Sequence, residues 1–337
     1  MLSFRSLAWA VFALGAALAG CRAPAEKPAA EVVLYCAADQ EIAEPILAEF
    51  ERTSGIKVLA RYDSEAAKTV GLVQRIRSEA GRPAADVFWS GEVFHTIRLA
   101  REGHLAPYQS EATAAWPAGL ADPQGLWHGF ALRARVVCYH TGRVKPEEAP
   151  ERLEDLLDPK WRGRVVMASP EFGTTSGHVA AWFAWYGKER AMKILEGLKA
   201  NGLRLVAGNS TAVRLVANGE ADLCLTDTDD VYAGRRNGWP VALKVLRHGD
   251  SGVLAIPNTA ALVRGGPHPE AAAKLMAFLL SDTVERMHAR SDSHNTPVHA
   301  AVAAEFPQYA LPERLPVTYD KVADALPDAV LAAKILK

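Results

Sequence analysis

Three carboxylates fall within four positions: Asp227, Asp229 and Asp230, in the stretch ADLCLTDTDDVY at residues 221–232. Close acids repel one another, so a cluster of them asks for a cation or a polar ligand. The plainer alternative is an acidic helix start, where aspartates cap amides and meet the positive end of the dipole. One aspartate would need no more than that; three favour a ligand. The apolar Leu223, Cys224 and Leu225 before them read as a short strand. Strand, polar turn and helix in that order is the α/β plan. Open α/β sheets bind ligands at the carboxyl ends of their strands.

The elements that must position these acids follow in order. Residues 31–35 (EVVLY) read as a strand with the exit turn Cys36-Ala37-Ala38-Asp39. Ile42, Ile46, Leu47 and Phe50 then recur at helical spacing, with Asp39 as N-cap and Gly55 as the stop. Residues 56–62 give a second strand, 65–80 an amphipathic helix, and 86–89 (DVFW) a third strand followed by Ser90-Gly91-Glu92 and another helix. Successive βα units with polar residues just after the strands point to a parallel, three-layer lobe. Trp89, at the end of the third strand, reads as a core residue or as a platform for a cation or ring. Two longer apolar runs, 129–140 and 253–263, read as strands crossing between lobes. Between them, 164–168 is a strand leading into SPEFGTTSG and an aromatic helix with Trp182, Phe183 and Trp185. Thr174, Thr175 and Ser176 thus sit at a helix start, where free amides favour an anion; taken alone, simple capping is the stronger reading. Residues 203–206 with Asn209-Ser210 form a further strand and turn, and 269–280 and 317–336 read as helical.

The first 21 residues read as a targeting segment: Arg5, an apolar run at 7–18, then Leu18-Ala19-Gly20-Cys21, the pattern of a bacterial lipoprotein signal. Cys21 is the expected lipid-attachment residue, and 22–30 (RAPAEKPAA) a tether. The expected location is the periplasm or the outer face of the cytoplasmic membrane. About 300 residues then remain, enough for two cores. Lys plus Arg number 38 and Asp plus Glu 39, a balance that gives no field for nucleic acid or an anionic membrane. Cys36, Cys138 and Cys224 lie in strand-like runs and read as buried thiols.

These pieces resemble the solute receptors of bacterial ABC importers. More closely, the chain resembles their ferric-iron-binding branch (type 2 periplasmic binding proteins), which also holds receptors for thiamine, phosphonates and phosphorylated sugars. The landmarks are VVLYCAADQEIAEPILAEFERTSGIKV, ADVFWSGE, RARVVCYHTGRV, EDLLDPKWRGRV, the TTSG helix start, VANGEADLCLTD and NTAALVRGGPHPEAAAKLMAFLLS. The implied fold is α/β and two-lobed, each lobe a mostly parallel sheet flanked by helices, with a cleft between the lobes and two crossing strands. Residues 31–132 with 260–300 would form lobe 1, and 133–259 with 301–337 lobe 2. The implied activity is capture of ferric iron, with a synergistic anion, and delivery as a monomer to a permease and its ATPase.

Carried over residue by residue, Asp39 falls where the branch supplies a His or Tyr. Gly91 falls on its first-lobe Glu, with Glu92 adjacent. Asp229 and Asp230 fall on its iron-binding Tyr pair, a departure at the most telling position. Thr175 belongs to the helix start that meets the anion, Ser176 and Asn209 match anion-holding positions, and Asp227 stands where an Asn completes that site. Tyr139 lies near a further phenolate position. Arg133 and Arg135 either face the cleft or pair with an acid.

Carboxylates qualify as ligands for a hard cation, although an all-carboxylate site would also admit calcium or manganese. The alternative cargo is an organic solute: a polyamine, thiamine, a phosphorylated sugar or an aminophosphonate. An enzyme is disfavoured, since Ser176 and His178 are two apart on a helix start and no GxSxG elbow is present. A scaffold that has lost its ligand is the third possibility, and the polar residues after each strand speak against it.

Overall fold

The computed structural model describes residues 30–62 and 68–337. The lipoprotein signal, Cys21 and residues 22–29 of the tether lie outside the described residues, as do the first positions of the helix expected at 65–80.

The chain opens with the βα units read from its periodicity. They are β1 (Glu31–Cys36), α1 (Gln40–Ser54), β2 (Lys57–Tyr62), α2 (Lys68–Ser78), β3 (Val87–Ser90) and α3 (Phe94–Arg101). The helix α1 buries Ala43, Ile46, Leu47 and Phe50 and stops at Gly55, whose φ of 70° is the left-handed cap that glycine adopts without cost. A two-residue strand, β4 (Leu105–Ala106), leads to the 13-residue β5 (His128–His140). Next come β6 (Val165–Ala168), α4 (Gly173–Tyr186), α5 (Lys188–Ala200), β7 (Arg204–Val206), α6 (Asn209–Ala217), β8 (Leu223–Asp227), α7 (Thr228–Arg236) and β9 (Val241–Val245). The strand β10 (Ala255–Val263) returns, and α8 (Pro269–Leu279), α9 (Asp282–Arg290), α10 (Ala300–Ala303), α11 (Tyr319–Asp324) and α12 (Leu326–Leu336) complete the chain.

The strands run in the order β2-β1-β3-β10-β5-β8-β6-β7. The strands β1, β2 and β3 are parallel at one end, and β6, β7 and β8 at the other. Between them β10 and β5 are antiparallel to their neighbours, so two long strands join two parallel lobes. The first half of β5 pairs with β10, and its second half with β8 on one edge and β9 on the other. Cys36, Cys138 and Cys224 are free and buried in these strands, and burial pushes the Cys36 thiol up to about 12. Trp89 is fully buried, donates to Asn258 Oδ1 at 3.3 Å and packs on Phe130 and His288; it is a core residue.

At the point where β5 crosses between lobes, its ladder breaks. Ala131 has φ 46°, and the register of β10 slips between Pro257 and Asn258. An alanine held there is strained by about 1–2 kcal/mol. Side chains replace the missing ladder bonds. The Ala131 N–H donates to Glu285 Oε1 at 3.1 Å, and its carbonyl accepts from Asn258 Nδ2 at 2.8 Å and Asn295 Nδ2 at 3.3 Å. The other Glu285 oxygen accepts the Val298 N–H at 2.8 Å. Glu285 is fully buried, and that burial pushes its carboxyl up to about 7 against the pull of the two amides. Glu285→Gln places an NH2 group against one of those amides and should cost about 1–3 kcal/mol in denaturant unfolding. An unchanged midpoint would show that the carboxylate does not hold the crossing.

Candidate functional site

One cleft gathers the polar ends of several strands. Its lining includes Asp39 after β1, Gly91 and Glu92 after β3, Arg133 of β5, Thr174 and Thr175 at the start of α4, Asn209 and Ser210 at the start of α6, and Asp227, Asp229 and Asp230. The architecture delivers them: each parallel strand ends at the cleft and hands over to a helix whose first turn faces it.

Asp227 closes β8 and is buried with its oxygens already engaged. Oδ1 accepts Arg135 Nη1 at 2.9 Å. Oδ2 accepts Asn209 Nδ2 at 3.0 Å and the Thr174 hydroxyl. Asn209 also ties to Thr175, whose hydroxyl donates to its Oδ1 at 3.1 Å. Arg135, Asp227, Thr174 and Asn209 thus form one buried network, of the kind that makes a buried charge tolerable. Asp229 and Asp230 occupy the first turn of α7. Asp229 Oδ2 accepts Arg133 Nη1 at 3.1 Å. Asp230 Oδ2 accepts the Thr226 hydroxyl at 2.8 Å and the Asp227 N–H at 3.4 Å, so it also caps its own helix.

Electrostatics follow from this crowding. Burial pushes Asp229 up to about 6, with Asp227 and Asp39 adding to it and Arg133 opposing it. Asp230 is pushed well above the carboxylate range, first by burial and then by Asp229 and Asp227. Arg133 is held still more firmly protonated by Asp229, Asp227, Asp39 and Asp230, against the cost of its burial. One ligand atom from each of Asp227, Asp229 and Asp230 lies within 4.8 Å of the others. A cation with oxygen ligands at about 2.0–2.6 Å spans such a set.

The expected site residues divide in two. Asp39, Thr175, Asn209, Asp227, Asp229 and Asp230 line the same cleft. Glu92 stands at its wall, yet its carboxylate is buried and serves α3: Oε2 accepts the N–H groups of Phe94 at 2.6 Å and His95 at 3.2 Å. Its Oε1 meets His95 Nδ1 at 3.0 Å. Ser176 is buried, its N–H donates to the Phe172 carbonyl at 3.1 Å, and it is not among the lining residues. Tyr139 belongs to a hydrophobic core cluster and lies opposite Leu223 on β8 and Ala242 on β9. It is far from the cleft, because six strand residues beyond Arg133 carry it about 20 Å along β5. Thr174, from the helix start expected to favour an anion, also lines the wall, as do Ser210 and the 41% exposed Phe172, which the sequence did not single out as ligands. Arg133 and Arg135, expected either to face the cleft or to pair with an acid, share one face of β5 and do pair with Asp229 and Asp227.

A polar cleft between two lobes joined by crossing strands defines a solute receptor. The profile of the bacterial extracellular solute-binding proteins matches residues 82–321, and the chain belongs to that family. It is 32% identical over 286 residues to iron uptake protein A1 of a Synechocystis species, covering 81% of this chain and 77% of that one. It is 30% identical over 278 residues to the major ferric iron-binding protein of Neisseria meningitidis serogroup B, covering 80% and 82%. The crystal structure of iron-bound HitA from Pseudomonas aeruginosa matches with a TM-score of 0.78 at 26% identity, covering 91% of this chain and 99% of that one. The α/β, two-lobed fold expected from the sequence is the fold observed.

The raised Asp229 carboxyl has a defined pH consequence. Its folded value, about 6, exceeds its unfolded value, so its contribution to stability is present below about pH 4 and is lost as pH rises through 6. Ligand-free Asp229→Asn should therefore gain on the wild type between pH 4 and pH 7, by roughly 1–3 kcal/mol. Parallel denaturation curves at both pH values test this, and a constant difference would refute it.

Proposed function

We propose that this chain is a lipid-anchored extracytoplasmic receptor that captures ferric iron and delivers it to the permease and ATPase of an ABC importer. The observation that carries the reading is the convergence of Asp227, Asp229 and Asp230, with ligand atoms within 4.8 Å, on a cleft that Asp39 also lines. Ferric iron is small and hard and selects anionic oxygen. The names of the Synechocystis and Neisseria relatives, both iron proteins, point the same way. A synergistic anion would meet Thr175 and Asn209 at the helix starts. Closure would swing residues 31–132 with 260–300 toward 133–259 with 301–337 about β5 and β10, and the cargo would hold the closed form by binding it more tightly.

One observation favours an organic cation instead: Phe172, 41% exposed, lines the same cleft as the acids and supplies an aromatic ring there. Titration with ferric citrate separates the readings. Asp229→Ala/Asp230→Ala should weaken ferric binding by more than about 100-fold, beyond what loss of outer-shell support produces. A wild type that ignores ferric citrate but binds a polyamine would replace iron with the organic cargo.

The anchor has its own test. Cys21→Ser should move the protein from the membrane fraction to the soluble one, because acyl chains alone would hold it there. Retention of the variant in washed membranes would rule the anchor out.

A further inference from the structure

Two of the buried cysteines face each other. Cys138 of β5 and Cys224 of β8 are register partners on adjacent antiparallel strands, and both are fully buried and free. Residues directly opposite in such a pair project from the same face of the sheet. The ladder sets their spacing. The His140 N–H donates to the Asp222 carbonyl at 3.0 Å, so by alternation Cys138 and Cys224, two residues further along each strand, are again a hydrogen-bonded pair. The Cα atoms of such a pair stand about 5.5 Å apart, inside the range of about 4.4–6.8 Å that a disulfide spans. Their Cβ atoms stand about 4.5–5.5 Å apart, so closing a bridge draws the strands together by roughly 1 Å. The two thiols already interact: burial, and then hydrogen bonding with Cys138, pushes the Cys224 thiol well above its usual value. Cys36 is out of reach, because β1 lies three strand spacings from β5, about 14 Å.

We propose that Cys138 and Cys224 are a disulfide site, closed while the chain folds and then enclosed in the sheet. This rests on the placement of the chain outside the cytoplasm, where thiols are oxidised. Two S–H bonds break and one S–S bond forms. The thiols lose two electrons and two protons to the disulfide of a thiol–disulfide oxidoreductase, which becomes a dithiol. Such exchange needs a thiolate that can reach its partner. In the folded chain neither condition holds, since both side chains are shut away from solvent and the Cys224 thiol keeps its proton. In the unfolded chain both conditions hold. Oxidation therefore belongs to the interval before β5 and β8 are covered. The consequence falls on the cleft. Arg135 lies three residues before Cys138 and Asp227 three after Cys224, on the same two strands and opposite each other. A covalent bond there holds β5 against β8 beside the buried ion pair that frames the acids. It also closes a long loop, which narrows the unfolded ensemble.

Peptide mapping tests this. The full chain, made with its own signal in a bacterial host, is alkylated with iodoacetamide in denaturant and digested without reductant. The peptides of Cys138 and Cys224 should appear joined, with Cys36 alkylated. The same chain, reduced in denaturant and refolded with glutathione disulfide, should give the same map. Refolded with dithiothreitol, and exposed to glutathione disulfide only once folded, it should keep Cys36, Cys138 and Cys224 all open to alkylation in denaturant. Cys138 and Cys224 alkylated in both of the first two samples overturns the proposal, as does a joined pair that includes Cys36. A bridge that forms on refolding with glutathione disulfide but is missing from the chain made in the host upholds the site and refutes the extracytoplasmic placement instead. A bridge that forms in the already folded chain overturns closure during folding.

Discussion

The cleft depends on a balance of charge between one strand and the ends of several others. Asp39, Asp227, Asp229 and Asp230 converge on one cleft, with Asp227 buried in its wall and Asp39 exposed at its edge. Unopposed, such a set would protonate or drive the lobes apart. Arg133 and Arg135 oppose it, and both come from β5 two residues apart, so one strand reaches two acids from the same face. The two pairs differ in kind. Arg135 with Asp227 is part of a saturated network, and breaking such a pair leaves a buried charge uncompensated. Arg133 with Asp229 retains 13% exposure on both side chains and an Nε without a hydrogen-bond partner. The first pair belongs to the framework, and the second can be rearranged.

The strand that supplies these charges is also the strand that crosses between lobes. Two residues before Arg133, Ala131 leaves the extended conformation, and its N–H and carbonyl are held by Glu285, Asn258 and Asn295 instead of by a neighbouring strand. Bonds to side chains can yield one at a time, whereas a ladder yields as a unit. A change in direction of β5 at Ala131 alters how Arg133 meets Gly91 on one side and Asp229 on the other.

The sequence made much of this legible. The βα units around β1 to β3, the two long strands and the acid-bearing turn after β8 follow from periodicity and from polar residues placed after apolar runs. Side-chain direction was less accessible. The strand β5 is buried at every position except Arg133 and His140, so its pattern does not alternate and does not say which residues reach the cleft. Tyr139 shares a face with Arg133 by parity but lies too far along. Glu92 has the right chemistry at the right turn, but its carboxylate is spent on the first amides of α3. Ser176 sits one position past the helix residues that face the cleft, and a step of 100° turns it inward. In each case the element was placed correctly, and a rotation about its axis or a distance along it decided the outcome.

Carboxylates at Asp229 and Asp230, where the resemblance to the iron-binding branch implies tyrosines, would leave less of the selectivity in the ligands themselves. A phenol, with an ordinary pKa near 10, gives up its proton only to a strongly polarising cation, so tyrosine ligands discriminate by themselves. The Asp229 carboxyl, even pushed up to about 6, is mostly ionised at neutral pH and accepts any hard cation that fits. Binding then carries a smaller proton penalty and less intrinsic preference. The guanidinium of Arg133, placed against Asp229 and given room by Gly91, competes with any cation for that carboxylate. It also explains how the acids tolerate one another before any cargo arrives. The same contact that offsets the repulsion among the acids must be broken before Asp229 can bind any cation, so the stability of the empty cleft and its affinity for cargo are opposed in one ion pair.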